Sequence, residues 1–217
     1  MARRPGSQTY DRERLLKKAR RAAKRRSHAK AAELYARVRR AEPRNADVLR
    51  RVAAHRIRAG LGEEALRDCR VAGEALARRG FVAQAIGVYR EYTARFPREV
   101  DAWLMLSDLE IERGRTPDAV HVLVEASRHF RARRRRPDGV DLLKRARGLD
   151  PTHFEAGYQL ADLAWRGGER REAGRVLASL VPHARSRRDR RRLRARLFRL
   201  APTPAAAWRW LRAALGG

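Results

Sequence analysis

Residues 78–97 read RRGFVAQAIGVYREYTARFP, and their spacing decides the fold. Phe81, Ala85, Val88, Tyr89 and Tyr92 recur at steps of three and four, which is one face of an α-helix and not the alternation of a strand. Gly80 precedes the run and Pro97 closes it, as helix punctuation does. Fifty-four residues upstream, Ala31, Leu34, Tyr35 and Val38 take the places of Ala85, Val88, Tyr89 and Tyr92, closed by Pro43. The stretch is one element of an internal repeat.

The same period runs along the chain. Pro43, Pro97 and Pro151 fall 54 residues apart, as do Gly60, Gly114 and Gly168, which suit helix ends that need φ > 0. Ala65, Ala119 and Ala173 coincide, and so do Cys69, Leu123 and Leu177. Val52/Leu106/Leu160 and Ile57/Ile111/Trp165 extend the match; this many coincidences mark stacked repeats. In the middle unit, helix one is expected at about 99–113 with Trp103, Leu106, Leu109 and Ile111. Helix two is expected to open with Thr116 as N-cap before Pro117 and Asp118, and to continue through Ala119, Leu123, Ala126 and Phe130. A basic loop, RARRRRPDG, leads to helix three with Val140, Leu142, Leu143 and Leu149. No strand is predicted. The chain enters mid-unit, with a helix two at 11–25 and a helix three at 29–41.

The expected organisation is an all-α solenoid of about eleven stacked antiparallel helices. A flexible basic segment 1–10 precedes repeat units at about 11–42, 43–96, 97–150 and 151–182. A basic C-terminal helix and a capping helix, TPAAAWRWLRAALGG, fill 183–217. The step from Ala31 to Tyr35 to Pro43, repeated as Ala85, Tyr89 and Pro97, resembles the second helix of a tetratricopeptide repeat (TPR). Trp103 and Leu106 stand where the first-helix signature would place them, and the resemblance covers most of residues 11–182. The unit of three helices and 54 residues departs from the family's usual two-helix unit. The resemblance implies a non-enzymatic binding scaffold. It also implies a groove lined by first helices, here Asp101, Leu104 and Asp108, then Glu155, Tyr158 and Asp162, able to take a protein partner.

Composition narrows the partners. A hydrophobic content of 43% supports a packed core beside 36% charged residues. Lys and Arg number 53 against 25 Asp and Glu, a formal net charge of +28. Residues 1–30 and 183–217 each carry +10, and residues 31–182 only +8. Such an excess attracts nucleic acid, an anionic membrane surface or an acidic protein. One cysteine, no apolar leader and no run long enough to span a bilayer give a cytoplasmic reading.

The repeat gives the arginines an arrangement. The junction between helices two and three carries Arg25 and Arg26, then Arg78 and Arg79, then Arg133, Arg134, Arg135 and Arg136. In the last unit it carries Arg187, Arg188, Arg190, Arg191 and Arg192. One such cluster reads as a solvated loop; four in phase are expected to line one edge as a basic ridge that docks RNA, DNA or a ribonucleoprotein. No base-reading motif accompanies them and aromatics fall in core phase, so backbone and shape would be recognised.

The remaining constellations favour structure over chemistry. His121, Glu125 and His129 share a helix at i, i+4 and i+8, but three ligands drifting around a helix over two turns make a poor metal site. Cys69 aligns with two leucines, so it is expected in the core and not as a nucleophile. Gly167 and Gly168 lack the Lys-Ser/Thr of a phosphate loop. No catalytic residue, cofactor or metal is expected.

Overall fold

The computed structural model of the chain describes residues 11–200, and among these every regular element is a helix. The N-terminal segment 1–10 and the expected capping helix after residue 200 lie outside the described residues. The fold is the expected all-α one: eleven α-helices among the described residues, divided into two compact units between Pro97 and Arg98. The division falls at the second of the three repeat prolines.

The first unit holds α1 (Arg12–Lys24), α2 (His28–Ala41), α3 (Ala46–Ala59), α4 (Gly62–Ala77) and α5 (Val82–Arg95). Their connections are short, so each helix reverses on its predecessor and covers its apolar stripe. Ala85, Val88, Tyr89 and Tyr92 are buried as expected, and so are Ala31, Tyr35 and Val38. Phe81 departs: it is the α5 N-cap residue and 44% exposed, with the Arg79 guanidinium 5.5 Å from its ring. Gly73 lets α4 and α5 approach, since a Cβ there would meet the Tyr89 ring at 2.8 Å.

The second unit holds α6 (Val100–Glu112), α7 (Thr116–Ser127), α8 (Arg136–Leu149), α9 (Phe154–Arg166), α10 (Arg170–Ser179) and α11 (Arg187–Leu200). Thr116 does not cap α7; it is the first helical residue, after Arg115, which makes no side-chain cap. The helix ends at Ser127, earlier than expected, and two 3-10 turns, Arg128–Phe130 and Arg133–Arg135, carry the chain to α8. Part of the expected basic loop is therefore helical. Phe130, fully buried, anchors this passage against Gly139.

The repeat glycines close their helices identically. Gly60, Gly114 and Gly168 have φ of 79°, 77° and 91°. Behind each, Leu61, Arg115 and Glu169 donate N–H to the carbonyls of Arg56, Glu110 and Ala164, the six-to-one bond of a Schellman ending. Gly80 repeats the motif at the α4–α5 junction with φ 80°. At the matching α1–α2 corner the residue is Arg26, with φ 57° and the same closing bond from Ser27 to Ala22. A side chain with a Cβ is strained in this conformation. Arg26→Gly is expected to raise the stability of the first unit by about 0.5–1 kcal/mol in denaturant unfolding; a loss of stability would contradict the strain.

A column of rings joins α2 to α3. His28 and His55 place their Nδ1 atoms 3.3 Å apart, and His55 stacks on Tyr35 at 5.4 Å. Burial, then the charges of Arg58, His28 and Arg51, pushes His55 below its ordinary value of 6.5. His153, at the α9 N-cap, is pushed down by burial and by His121, against the pull of Asp150 and Glu155. A depressed histidine binds its proton more readily when unfolded, so its contribution is full above about pH 6.5 and fades as pH falls through the folded value. The melting temperature should therefore drop between pH 7 and pH 5. His55→Phe should flatten part of that slope; an unchanged slope in H55F would remove His55 from the account.

Candidate polyanion and partner surfaces

The junction arginines divide by what holds them. In the first unit Arg25 and Arg26 are exposed beside the left-handed corner, and no carboxylate among the described residues pairs with either. Arg78 is paired with Glu74 at 2.9 Å and Arg79 lies over Phe81. In the second unit Arg133 and Arg134 are exposed, whereas their neighbours are engaged. Arg135 pairs with Asp138 and donates to the Arg98 carbonyl at 3.1 Å. Arg136 donates to the Arg166 carbonyl at 2.7 Å, satisfying an end group of α9. Arg187, Arg188 and Arg191 are exposed, and Arg190 reaches the Arg185 carbonyl at 3.4 Å. Arg192 is held by Glu155 at 2.8 Å and lies 4.1 Å from the Tyr158 ring centre.

A single ridge does not form within either unit. In an up-and-down stack with three helices per repeat, a step of one repeat reverses helix direction, so equivalent corners alternate between ends. The contacts of α9 show it directly: Arg136 meets its last residue, Arg166, while Arg192 meets its first turn at Glu155. The two clusters of the second unit stand at opposite ends of a thirteen-residue helix, about 20 Å apart along its axis. The first unit follows the same alternation, with Arg25 and Arg26 at one end and Arg78 and Arg79 at the other.

The groove residues are largely engaged from within. Asp108 pairs with Arg145 of α8. Glu155 takes Arg192 and accepts from Gln159 at 2.8 Å. Burial pushes the Glu155 carboxyl up, but the hydrogen bonds and charge of Arg192 outweigh it and hold the group below its ordinary value. Asp162 pairs with Arg166 at 2.9 Å and with Arg196, whose guanidinium stands 4.7 Å from the Trp165 ring centre. Tyr158 is half-buried beneath Arg192, and Leu104 is half-buried on α6 beside exposed Asp101. In the second unit α8 and α11 thus lay arginines on the acids of α6 and α9; in the first unit the polarity is reversed, with Arg58 of α3 paired to Glu91 of α5 at 3.0 Å. Beside that pair lies a cavity of about 390 Å³ lined by Arg50, Arg51, His55 and Gln84 among others.

The histidines of the expected weak metal pattern go separate ways. His121 meets His153 edge-on at 5.4 Å and His129 stacks on Trp103 at 5.8 Å. Cys69 is fully buried, and burial, with Asp68 and Glu91 nearby, pushes its thiol up to about 12. Such a group is protonated and inert at neutral pH. Beside it stands a buried carboxylate that no pattern in the sequence signals: Asp68 of α4 meets Arg39 of α2 at 2.5 Å and Arg56 of α3 at 2.9 Å.

Comparison with known proteins bears on family. Models described as tetratricopeptide repeat match residues 70–126 and 130–197, together more than half of the 217 residues. No curated protein matches the sequence. Among solved structures the chain is similar to kinesin light chain TPR-like repeats from Podosopora anserina. Identity there is 16%, over 88% of this chain and 97% of that one, with a TM-score of 0.39. A tetratricopeptide repeat protein from Parabacteroides merdae is 15% identical over 94% and 98%, TM-score 0.28. MamA from Desulfovibrio magneticus RS-1 is 16% identical over 81% and 96%, TM-score 0.30. The repeat models, not these overlays, carry the assignment.

Proposed function

Because the chain belongs to the tetratricopeptide repeat family, we propose that it is a non-enzymatic binding scaffold whose corner arginines dock an anionic partner, a nucleic acid or ribonucleoprotein. The observation that carries this is a set of corner arginines left without carboxylates. Several acids are held in internal ion pairs, such as Asp68, Asp108, Glu155 and Asp162, while Arg25, Arg26, Arg133, Arg134, Arg187, Arg188 and Arg191 are exposed with no such partner among the described residues. Unpaired guanidinium groups on short, fixed corners can neutralise phosphates and release the cations condensed on a polyanion, which is what polyanion affinity draws on.

A protein partner is the second reading, favoured by the cavity between α3 and α5. Arg50, Arg51 and Arg58 there would meet an acidic segment, although each is already shared with Asp47 or Glu91. Capture from lysate with and without nuclease separates the two. The polyanion reading expects nuclease to release the bound material and salt to weaken retention on heparin steeply. Retention of a protein that nuclease does not release would leave the protein-partner reading in its place.

A further inference from the structure

We infer that one end of the second unit, and not the repeat-related corners as a set, docks the phosphodiester backbone of a double-stranded nucleic acid. This rests on the polyanion reading above and changes which residues carry it. Helix reversal brings the α7–α8 junction to the same end as the entry into α6 and the α9–α10 turn. Arg135 and Arg136 hold that frame together, through the carbonyl of Arg98 and the carbonyl of Arg166 at the end of α9. Around these two struts stand Arg98, Arg131, Arg133, Arg134, Arg170 and Arg171, all exposed, with no carboxylate among the described residues paired to any of them.

The acids nearby are mostly committed: Asp138 to Arg135, Asp162 to Arg166, and Glu172 to Arg175 at 2.6 Å. Glu169 is the exposed carboxylate at this turn, and Glu99 and exposed Asp101 stand at the entry into α6. Helices α8 and α10 both begin at this end, and neither N-cap residue makes a side-chain cap. Their first turns bring positive dipole ends to the guanidinium groups, although Pro137 carries no N–H and the Arg170 N–H is taken by the Gly168 carbonyl at 2.9 Å.

Phosphate backbone fits this surface better than the alternatives. A protein partner needs an apolar centre to its interface, but the two junctions expose no large apolar side chain among the described residues. A single strand needs aromatic platforms, but Phe130 is buried under Arg135 and Trp165 lies beneath Arg196. Planar guanidinium groups remain, and these read phosphate oxygens. The neighbouring junctions lie on packed helices whose axes stand about 8–10 Å apart, close enough for one duplex to touch both.

The experiment is a fluorescence-anisotropy titration of the full chain with labelled duplex RNA and duplex DNA across a salt series, with polyglutamate as competitor. Replacing Arg131, Arg133, Arg134, Arg170 and Arg171 by Gln should weaken binding about 100-fold and lower the salt slope by about one for each phosphate no longer neutralised. Replacing Arg187, Arg188, Arg190 and Arg191, at the other end of the unit, should cost less than about tenfold and leave the slope nearly intact. The double variant R133Q/R134Q repeats the test with minimal disturbance, and circular dichroism checks folding throughout. Equal losses in both variants would overturn the inference in favour of diffuse attraction. Displacement by polyglutamate at equal charge would overturn it in favour of an acidic protein. A protein that binds heparin but whose duplex affinity ignores the first variant ends the inference alone; one that binds no polyanion ends the functional reading with it.

Discussion

Replacing Arg39 and Arg56 together by Met is expected to destabilise the first unit by about 3–5 kcal/mol. The Asp68 side chain is only 4% exposed, and its two oxygens face Arg39 at 2.5 Å and Arg56 at 2.9 Å. Three helices meet there: α2 and α3 supply the cations and α4 the anion. Removing both cations leaves a carboxylate in a site where water cannot reach it, so the native state must bury an unpaired charge or open to hydrate it. The single variants should cost less, because the remaining guanidinium still answers the charge. Adding Asp68→Leu to the double variant should recover most of the loss, since an apolar set of similar volume avoids the desolvation cost altogether. Urea unfolding of the parent and the four variants measures all of this. A double variant as stable as the parent would mean that Asp68 is hydrated or protonated in the native state.

Phe130→Ala should cost about 3–5 kcal/mol in the second unit. The ring is fully buried where α7 has already ended, in the 3-10 turn that carries the chain toward α8. Its Cβ and carbonyl lie 3.3 and 3.2 Å from where a Cβ on Gly139 would sit, and Arg135 covers its ring at 5.0 Å. Truncation removes both the transfer free energy and the wedge that fixes the turn, and packed helices close such a gap only in part. The same change should loosen the frame beneath Arg133 and Arg134, so duplex binding should weaken with stability. A cost below about 1 kcal/mol would show that the junction collapses around the missing ring.

Both predictions turn on features that the sequence hid to different degrees. Phe130 stood in core phase, so its burial was legible, while the early end of α7 was not. Nothing in the 54-residue period announces that Arg39, Arg56 and Asp68 converge, because the three come from three helices and have no counterparts one repeat on, where the places are held by Thr93, Glu110 and Val122. The histidines show the same limit. Spacing along the expected helix two grouped His121 with His129, but α7 ends at Ser127 and leaves His129 in a 3-10 turn against Trp103, while His121 meets His153.

By itself the sequence determined the helical class, the repeat, the left-handed glycine endings and the apolar stripes, because each of these is set within one helix or its turn. The direction of every corner was decided by the tertiary structure. Three helices per repeat turn each successive unit over, so charges in phase along the chain part company in space. Side chains from different repeats, never in register by sequence, are brought together at one end.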